Sequence, residues 1–550
     1  MKIKQFFIII GLVLSISTSA QEMPEYDIDF EILKNLELFE MVYKNVDLYY
    51  VDEPNPGELM RSGIEAMLAE LDPYTNFIPE SKMEDYKLMT TGQYGGIGAI
   101  IRQVKEEVMV IDPHENFPAQ KAGIIAGDIF VEIDGKNVED LSSSEISTKL
   151  KGQPGKPVKI KVRRNDDLKD FTLIREEIKM GPVPYSGMVA DKIGYIKLNS
   201  FTQTAAKEIL DAYNKLEKSD GIEKLIIDLR GNGGGLLMQA NQIVNFFVEK
   251  GSDIVEIKGR MEGVNQSYTA RAKPVNKEIP IVVLVDEGSA SASEIVSGAL
   301  QDLDRAVIVG RTSFGKGLVQ RPLDLKYNAK IKVTIAKYYT PSGRCIQKLD
   351  YSTKKIGEHA NEVSEEDLKK FKTKNGRTVI DGRGVEPDVI IQEELYSRLT
   401  SILVLENLIF NYATQYKISH SSIAIPTDFK LTESDFNDFK TMVLATEFDY
   451  SAASSDMMEA LKKQAEEEGV FSENEALFNQ LSLAYQPSKE DDLEKFKSEI
   501  VELLENEIIG RYYFQTGRIQ QSLLNDNYIL EAVKILNDKN RYNSILNIQN

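Results

Sequence analysis

The chain has 550 residues, of which 42% are hydrophobic and 28% charged, with 36 Gly and 18 Pro. At roughly 150 residues per domain this predicts about three to four domains, and the composition excludes collagen, coiled coil and bulk disorder. The 66 basic and 86 acidic side chains leave a formal charge of −20, which repels a phosphate backbone, so nucleic acid is not an expected partner.

In chain order, Lys2 and Lys4 precede an apolar run from Phe6 to Ile16 and a group of small residues ending at Ala20. This pattern predicts a secretory signal peptide over residues 1–20, cleaved after Ala20; the run is too short to span a bilayer. An uncleaved anchor is the alternative. The expectation is an exported protein of the periplasm or cell envelope, with no stable membrane span after cleavage. Apolar residues then recur at helical spacing from Phe30 to about Glu80, broken at Pro54-Asn55-Pro56-Gly57, which predicts a helical hairpin within a segment of residues 27–88.

Residues 92–179 change to short alternating segments such as Val158-Lys159-Ile160-Lys161-Val162, a β-rich module. Residues 180–395 alternate apolar runs (Leu225–Ile227, Ile281–Val285, Val307–Val309) with helical stretches, as in a sheet covered on both faces. Lys348–Arg377 reads as an exposed polar insertion in that α/β core. Residues 396–550 are helical, and Ser451–Gly510 alone carries 15 acidic against 5 basic residues, half of the net charge. A solvated helical face accounts for this, as does a docking surface; the expected use is a homo-oligomer or adaptor contact through residues 396–550.

Three turns carry candidate chemistry. Asp228-Leu229-Arg230-Gly231-Asn232-Gly233-Gly234-Gly235 lies between a strand and a helix, where backbone N–H groups suit a phosphate or an oxyanion. Gly310-Arg311-Thr312-Ser313-Phe314-Gly315-Lys316-Gly317 resembles a phosphate loop until Gly317, which has no hydroxyl for Mg²⁺, so an NTPase is disfavoured. Gly288-Ser289-Ala290-Ser291-Ala292-Ser293-Glu294 follows a strand and opens a helix, where a serine either caps the helix or presents its Oγ as a nucleophile.

A nucleophilic serine needs a base. His114, His359 and His420 all lie outside the segment that holds these turns, and they share no metal-ligand spacing. The single cysteine, Cys345, forms neither an intramolecular disulfide nor a thiolate cluster, so no metal or cofactor is expected. A lysine serves as base if burial lowers its pKa. Lys316 has small neighbours, Gly315 and Gly317, that permit close approach, and Gln320 is positioned to orient its amine.

These strings, together with Gln301-Asp302, Phe314-Gly315-Lys316-Gly317-Leu318-Val319-Gln320 and Tyr338-Tyr339-Thr340-Pro341-Ser342-Gly343-Arg344, resemble the carboxy-terminal processing peptidases, or tail-specific proteases. The resemblance implies Ser291 as nucleophile, Lys316 as general base and Gln320 as its orienting group. It implies an oxyanion hole from the N–H of Ala292 and of Gly234, with Gly233 as the alternative. It also implies a Clp protease/crotonase-like α/β core with an inserted PDZ domain, whose carboxylate-binding loop contains Gly95, Gly96, Ile97 and Gly98. Leu71-Asp72-Pro73-Tyr74 and Gly384-Val385-Glu386-Pro387-Asp388 extend the similarity from about residue 30 to 395, and it stops there.

The resulting expectation is a multidomain α/β protein with a helical N-terminal segment and an all-α C-terminal extension. It is an exported serine endopeptidase that takes the apolar C-terminal end of a protein or peptide substrate on its PDZ domain. A non-catalytic PDZ adaptor or an apolar-ligand-binding relative is the alternative.

Overall fold

The computed structural model of the protein describes residues 28–392, 395–448, 450, 453–484 and 488–549, so the expected signal peptide lies outside the described residues. The unit ending at Ala69 consists of the helices Ile28–Tyr49 and Pro56–Ala69. The Pro-Asn-Pro-Gly break acts through Asn55, whose Oδ1 accepts from the N–H groups of Gly57 and Glu58 and caps the second helix.

The second unit begins at Glu70. Helical spacing predicted a hairpin as far as Glu80, but the chain turns at Asp72. Its carboxylate accepts from the N–H groups of Tyr74 and Thr75 and from Thr75 Oγ1, so backbone groups that a helix would use are already paired. Residues Asn76–Ile78 then form a short strand antiparallel to Lys330–Lys332.

The β-rich module is an antiparallel sheet in the order Ala99–Val104, Glu107–Pro113, Ile129–Ile133, Pro157–Arg164, Asp167–Ile174. Val158, Ile160 and Val162 point inward at period two and pack with Val110, Phe130 and Ile146. The helix Ser143–Leu150 begins with a capping box between Ser142 and Glu145. Ala99–Val104 ends this sheet, so one of its edges has no partner strand among the described residues.

The α/β core is a six-stranded sheet in the order Tyr185–Ala190, Ile193–Lys197, Lys224–Asp228, Ile281–Val285, Val307–Gly310, Val389–Ile390. Its first pair is antiparallel and the remaining pairs are parallel. Helices Ala205–Asp220, Leu237–Asn245 and Ala292–Asp302 cover one face. The other is covered by Ile529, Ala532, Ile535 and Tyr542 of the last two helices, Asn527–Asn537 and Lys539–Ile545. That double coverage explains the unbroken apolar strand Ile281–Val285, every residue of which is buried.

Two segments differ from their sequence reading. Arg377, at the end of the expected exposed insertion, is drawn into the core by Asp304 (2.6 Å), Asp388 and the carbonyl of Gln301. The C-terminal helices do not form a free tail. Leu399, Phe436, Phe439, Leu493, Ile500 and Leu504 build their own core, and the final two helices cover the six-stranded sheet. Part of the acidic charge is also spent internally, with Glu505 on Lys430 (3.1 Å) and Glu499 on Thr400 (2.6 Å). No helix among the described residues is long and apolar enough to cross a membrane.

Candidate active site

The sheet delivers Ser291 to the turn between strand Ile281–Val285 and helix Ala292–Asp302. The three serines there divide by what their hydroxyls do. Ser289 Oγ donates to Leu229 O (2.9 Å) and Ser293 Oγ to Asn232 O (2.8 Å), and both side chains are buried. Ser291 alone of the three is not buried, and it holds φ +55 and ψ −108. That conformation costs a non-glycine residue about 1–3 kcal/mol, the strain of a serine held out from a sharp strand-to-helix turn. Tyr338 Oη donates to the Ser291 carbonyl at 3.1 Å.

Glu294, one turn into the same helix, ties the serine turn to the lysine loop. Its carboxylate accepts from the N–H of Ser291 (2.8 Å), Ser313 Oγ (2.5 Å) and the N–H groups of Gly315 (2.7 Å) and Lys316 (2.9 Å). Complete burial pushes its pKa up to about 7, although these hydrogen bonds favour the charged form. Glu294 was read only as part of a motif. The signal that could have found it is its place three residues after Ser291, the capping-box position.

Lys316 projects into the site from between two glycines that allow no side chain. A Cβ on Gly315 would stand 2.5 Å from Lys348 Cβ, and one on Gly317 2.8 Å from the Gln347 nitrogen. Burial, together with the neighbouring Lys332, lowers the Lys316 pKa to about 8, against the pull of Asp72 and Glu294. Among the described residues Lys316 Nζ donates no hydrogen bond; it sits 4.2 Å from the centre of the Tyr74 ring. Tyr74 entered the sequence reading only as the last residue of the Leu71-Asp72-Pro73-Tyr74 string, and Lys332 not at all, because neither spacing nor motif separates it from ordinary surface residues.

The glycine turn backs directly onto the serine. Gly234, at φ +102, leaves room for 2.7 Å to Ala290 O, 2.9 Å to Ser291 Cβ and 3.0 Å to the Ala292 nitrogen from any added Cβ. Its own N–H, however, donates to Asn232 Oδ1 at 2.9 Å. The N–H of Gly233 has no such acceptor among the described residues, and that of Ala292, first in its helix, has no intrahelical one. Asp228 anchors the start of this turn. Burial opposes its ionisation, yet Arg230 and Lys197, together with Tyr195 Oη (2.7 Å), hold its carboxyl far below the usual range. The Gln301-Asp302 and Arg344 strings are structural as well: Arg344 is buried on Asp302 (2.9 Å) and Gln301 Oε1 (2.7 Å).

Ser291, Ala292, Lys316, Gln320, Gly233 and Gly234 line one cavity of about 870 Å³. Gln320 makes no bond to Lys316, and its buried Nε2 has no partner among the described residues. The PDZ loop lies elsewhere in the same unit. Gly95 and Gly96 belong to the strand Gln93–Gly96, paired with Glu176–Lys179; Ile97 is buried; Gly98 takes φ +72. The Tyr94 ring packs on Gly96, where a Cβ would meet it at 2.7 Å, and burial pushes the Tyr94 hydroxyl pKa up against the opposing pull of the Gly98 and Ala99 backbone N–H groups.

Fold and site together define a serine peptidase that carries a PDZ domain. Comparison with known proteins gives three family matches: peptidase family S41 over residues 192–353, a PDZ domain over 95–174, and the probable PDZ-protease C-terminal helical domain over 399–536. The carboxy-terminal-processing protease of Bartonella bacilliformis is 36% identical over 351 residues, 62% of this chain and 80% of that protein. A probable CtpA-like serine protease of Staphylococcus aureus is 31% identical over 370 residues, 67% of each chain. The solved photosystem II D1 C-terminal processing protease is 28% identical, covers 66% of this chain and 94% of its own, and gives a TM-score of 0.36. The chain belongs to the S41 family of carboxy-terminal-processing serine peptidases. The family resemblance read from sequence ended near residue 395, and the match over 399–536 extends that likeness into the C-terminal helices.

Proposed function

We propose that this peptidase is exported, takes the apolar C-terminal end of a protein substrate on its PDZ domain, and cleaves with Ser291 as nucleophile and Lys316 as base. The observation that carries the catalytic assignment is a strained, accessible Ser291 sharing a cavity with a lysine whose pKa is lowered to about 8. Neutral Lys316 takes the Ser291 proton as Oγ attacks the scissile carbonyl, then returns it to the leaving amine. The acyl-enzyme is released by a water that Lys316 deprotonates in turn. The N–H groups of Ala292 and Gly233 supply the oxyanion hole; the bond from Gly234 to Asn232 supports Gly233 over its neighbour. Gln320, adjacent in the cavity, orients the lysine amine as substrate enters.

Capture of a C-terminus rests on the loop from Gly95 to Gly98 and on the free edge Ala99–Val104, where an extended peptide adds as a strand. Export to the periplasm or cell envelope rests on the N-terminal segment and its expected cleavage after Ala20. The test is cleavage of an unfolded protein substrate by the wild type and by Ser291→Ala. Loss of cleavage with retained folding supports the assignment; equal proteolysis by the variant refutes it.

A further inference from the structure

The cavity that holds Ser291 and Lys316 continues beyond the peptidase core. Part of its wall is Ile100, Asp112 and His114 of the PDZ domain, and part is Gln515 and Arg518 of the C-terminal helix Lys497–Ser522. The C-terminal domain therefore contributes directly to the space in which substrate is cleaved. In a chain of net charge −20, the lysines and arginine that line this space are Lys316, Lys332 and Arg518, against the single acid Asp112. Burial also pushes the Asp112 pKa up, which weakens that one counter-charge.

Arg518 occupies a built seat. The helix leaves its regular path at Phe514, whose φ of +53 and ψ of −153 lie outside the helical region and are strained for a non-glycine residue. Beyond the kink the Arg518 carbonyl accepts from Asn506 Nδ2 (3.0 Å), and the guanidinium lies against Gly510. A Cβ on Gly510 would stand 2.1 Å from Arg518 Nε, so a side chain there would displace the guanidinium from this seat.

Two guanidinium groups share one carboxylate at this seat: Glu507 pairs with Arg518 and, at 2.8 Å, with Arg511. The Arg511 side chain is largely covered, and its remaining donors go to Thr414 Oγ1 (3.3 Å) and Phe410 O (3.4 Å). Arg518 is the more exposed of the two, at 23% against 6%, and it lines the cavity. Asp112 also acts on both guanidinium groups, and Arg518 is the one of the two that faces the cavity.

We propose that Arg518 binds a carboxylate of the peptide running between the PDZ edge strand and Ser291, which makes it a specificity residue supplied by the C-terminal domain. A guanidinium fork matches a carboxylate in charge and geometry. The carboxylate is either the free C-terminus or an Asp or Glu side chain. This rests on the peptidase reading above and extends it.

The test uses the full chain and three fluorogenic peptides of one apolar sequence: a free acid, its C-terminal amide, and an amide with one internal Glu. Arg518→Gln is expected to raise KM at least tenfold for a carboxylate-bearing peptide, with kcat and the uncharged amide unchanged. Arg518→Lys recovers part of that loss, and the peptide that responds identifies the carboxylate. Equal losses on all three peptides, or no change on any, would overturn the proposal. The same peptides are also titrated by fluorescence anisotropy against Ser291→Ala with and without Arg518→Gln, folding being checked by thermal unfolding. That measurement reads Arg518 even where no peptide is cleaved: selective loss of carboxylate binding supports it, and unchanged binding refutes it. Failure of the wild type to cleave counts separately, against the assignment of Ser291 and Lys316.

Discussion

Lys316→Met separates the cost of the lysine to the fold from its use in catalysis. Lowering its pKa from 10.5 to about 8 means that the folded protein disfavours the ammonium, chiefly through burial. At 1.36 kcal/mol per pH unit the ceiling on that penalty is about 3 kcal/mol, and partial solvent screening brings it to about 2 kcal/mol. The sign follows from proton counts. Between pH 8 and 10.5 the unfolded chain holds more protons than the folded one, so wild-type stability rises with pH across this window. Below pH 8 the penalty is fully present; above 10.5 it is gone. Methionine has a similar shape and no charge, so the variant should be more stable than the wild type at pH 7, by about 4–8 °C in the midpoint of the peptidase-domain transition. The two proteins should converge as pH approaches 10.5, and the variant should be inactive. Differential scanning calorimetry at pH 7 and pH 10 reads this directly. A variant less stable at pH 7, or a difference that does not change with pH, would refute the reasoning that Lys316 is held in a neutralising environment.

The same lysine sets the pH dependence of turnover: kcat/KM should rise with pH, reach half its plateau near pH 8, and stay level to about pH 9.5, and a flat profile from pH 6 to 9 would exclude a lysine base. Gly234→Ala places a Cβ 2.9 Å from that of Ser291 and 2.7 Å from Ala290 O. Activity should fall by about 10²–10³ through displacement of the oxyanion donors, while peptide binding measured in the Ser291→Ala background should persist. Tyr94→Phe removes the hydroxyl on which the Gly98 and Ala99 backbone N–H groups act, leaving those groups to a ligand carboxylate. Peptide affinity by anisotropy should therefore rise about fivefold, the worth of one net hydrogen bond; weaker binding would instead make the tyrosine hydroxyl part of the ligand site.

The candidate turns were legible because their chemistry is local, although the role of Ser291 within its turn rested on the family resemblance. Ser291, Lys316 and the Gly231–Gly235 turn each stand at a strand end with the small neighbours that close approach requires, and alternation at Val158, Ile160 and Val162 marked a β-rich module whose likeness to a PDZ domain lay in its glycine-rich turns. Other features depend on which distant groups meet, and helical or strand period carries no such information. Glu294 reads as an ordinary capping residue until its second oxygen is seen to hold the lysine loop. Asn76–Ile78 is too short for a period of two to register, and the adjacent apolar spacing outvotes it. Arg377 sits in a polar stretch and is half-buried only because Asp304 and Asp388 await it. Arg518 shows the same limit on a larger scale: the C-terminal helices were legible as helices, but the kink at Phe514 that turns one of them into the cavity was not.

The central claim is that Ser291 is the nucleophile and Lys316 activates it, and the most direct measurement is covalent capture. Full-length protein treated with a serine-directed fluorophosphonate at pH 8.5, then digested and analysed by mass spectrometry, should carry a single adduct on the peptide containing Ser291. Labelling should slow at least a hundredfold in Lys316→Met and vanish in Ser291→Ala. An adduct on another serine, or labelling of Ser291 at an unchanged rate in Lys316→Met, would contradict the account.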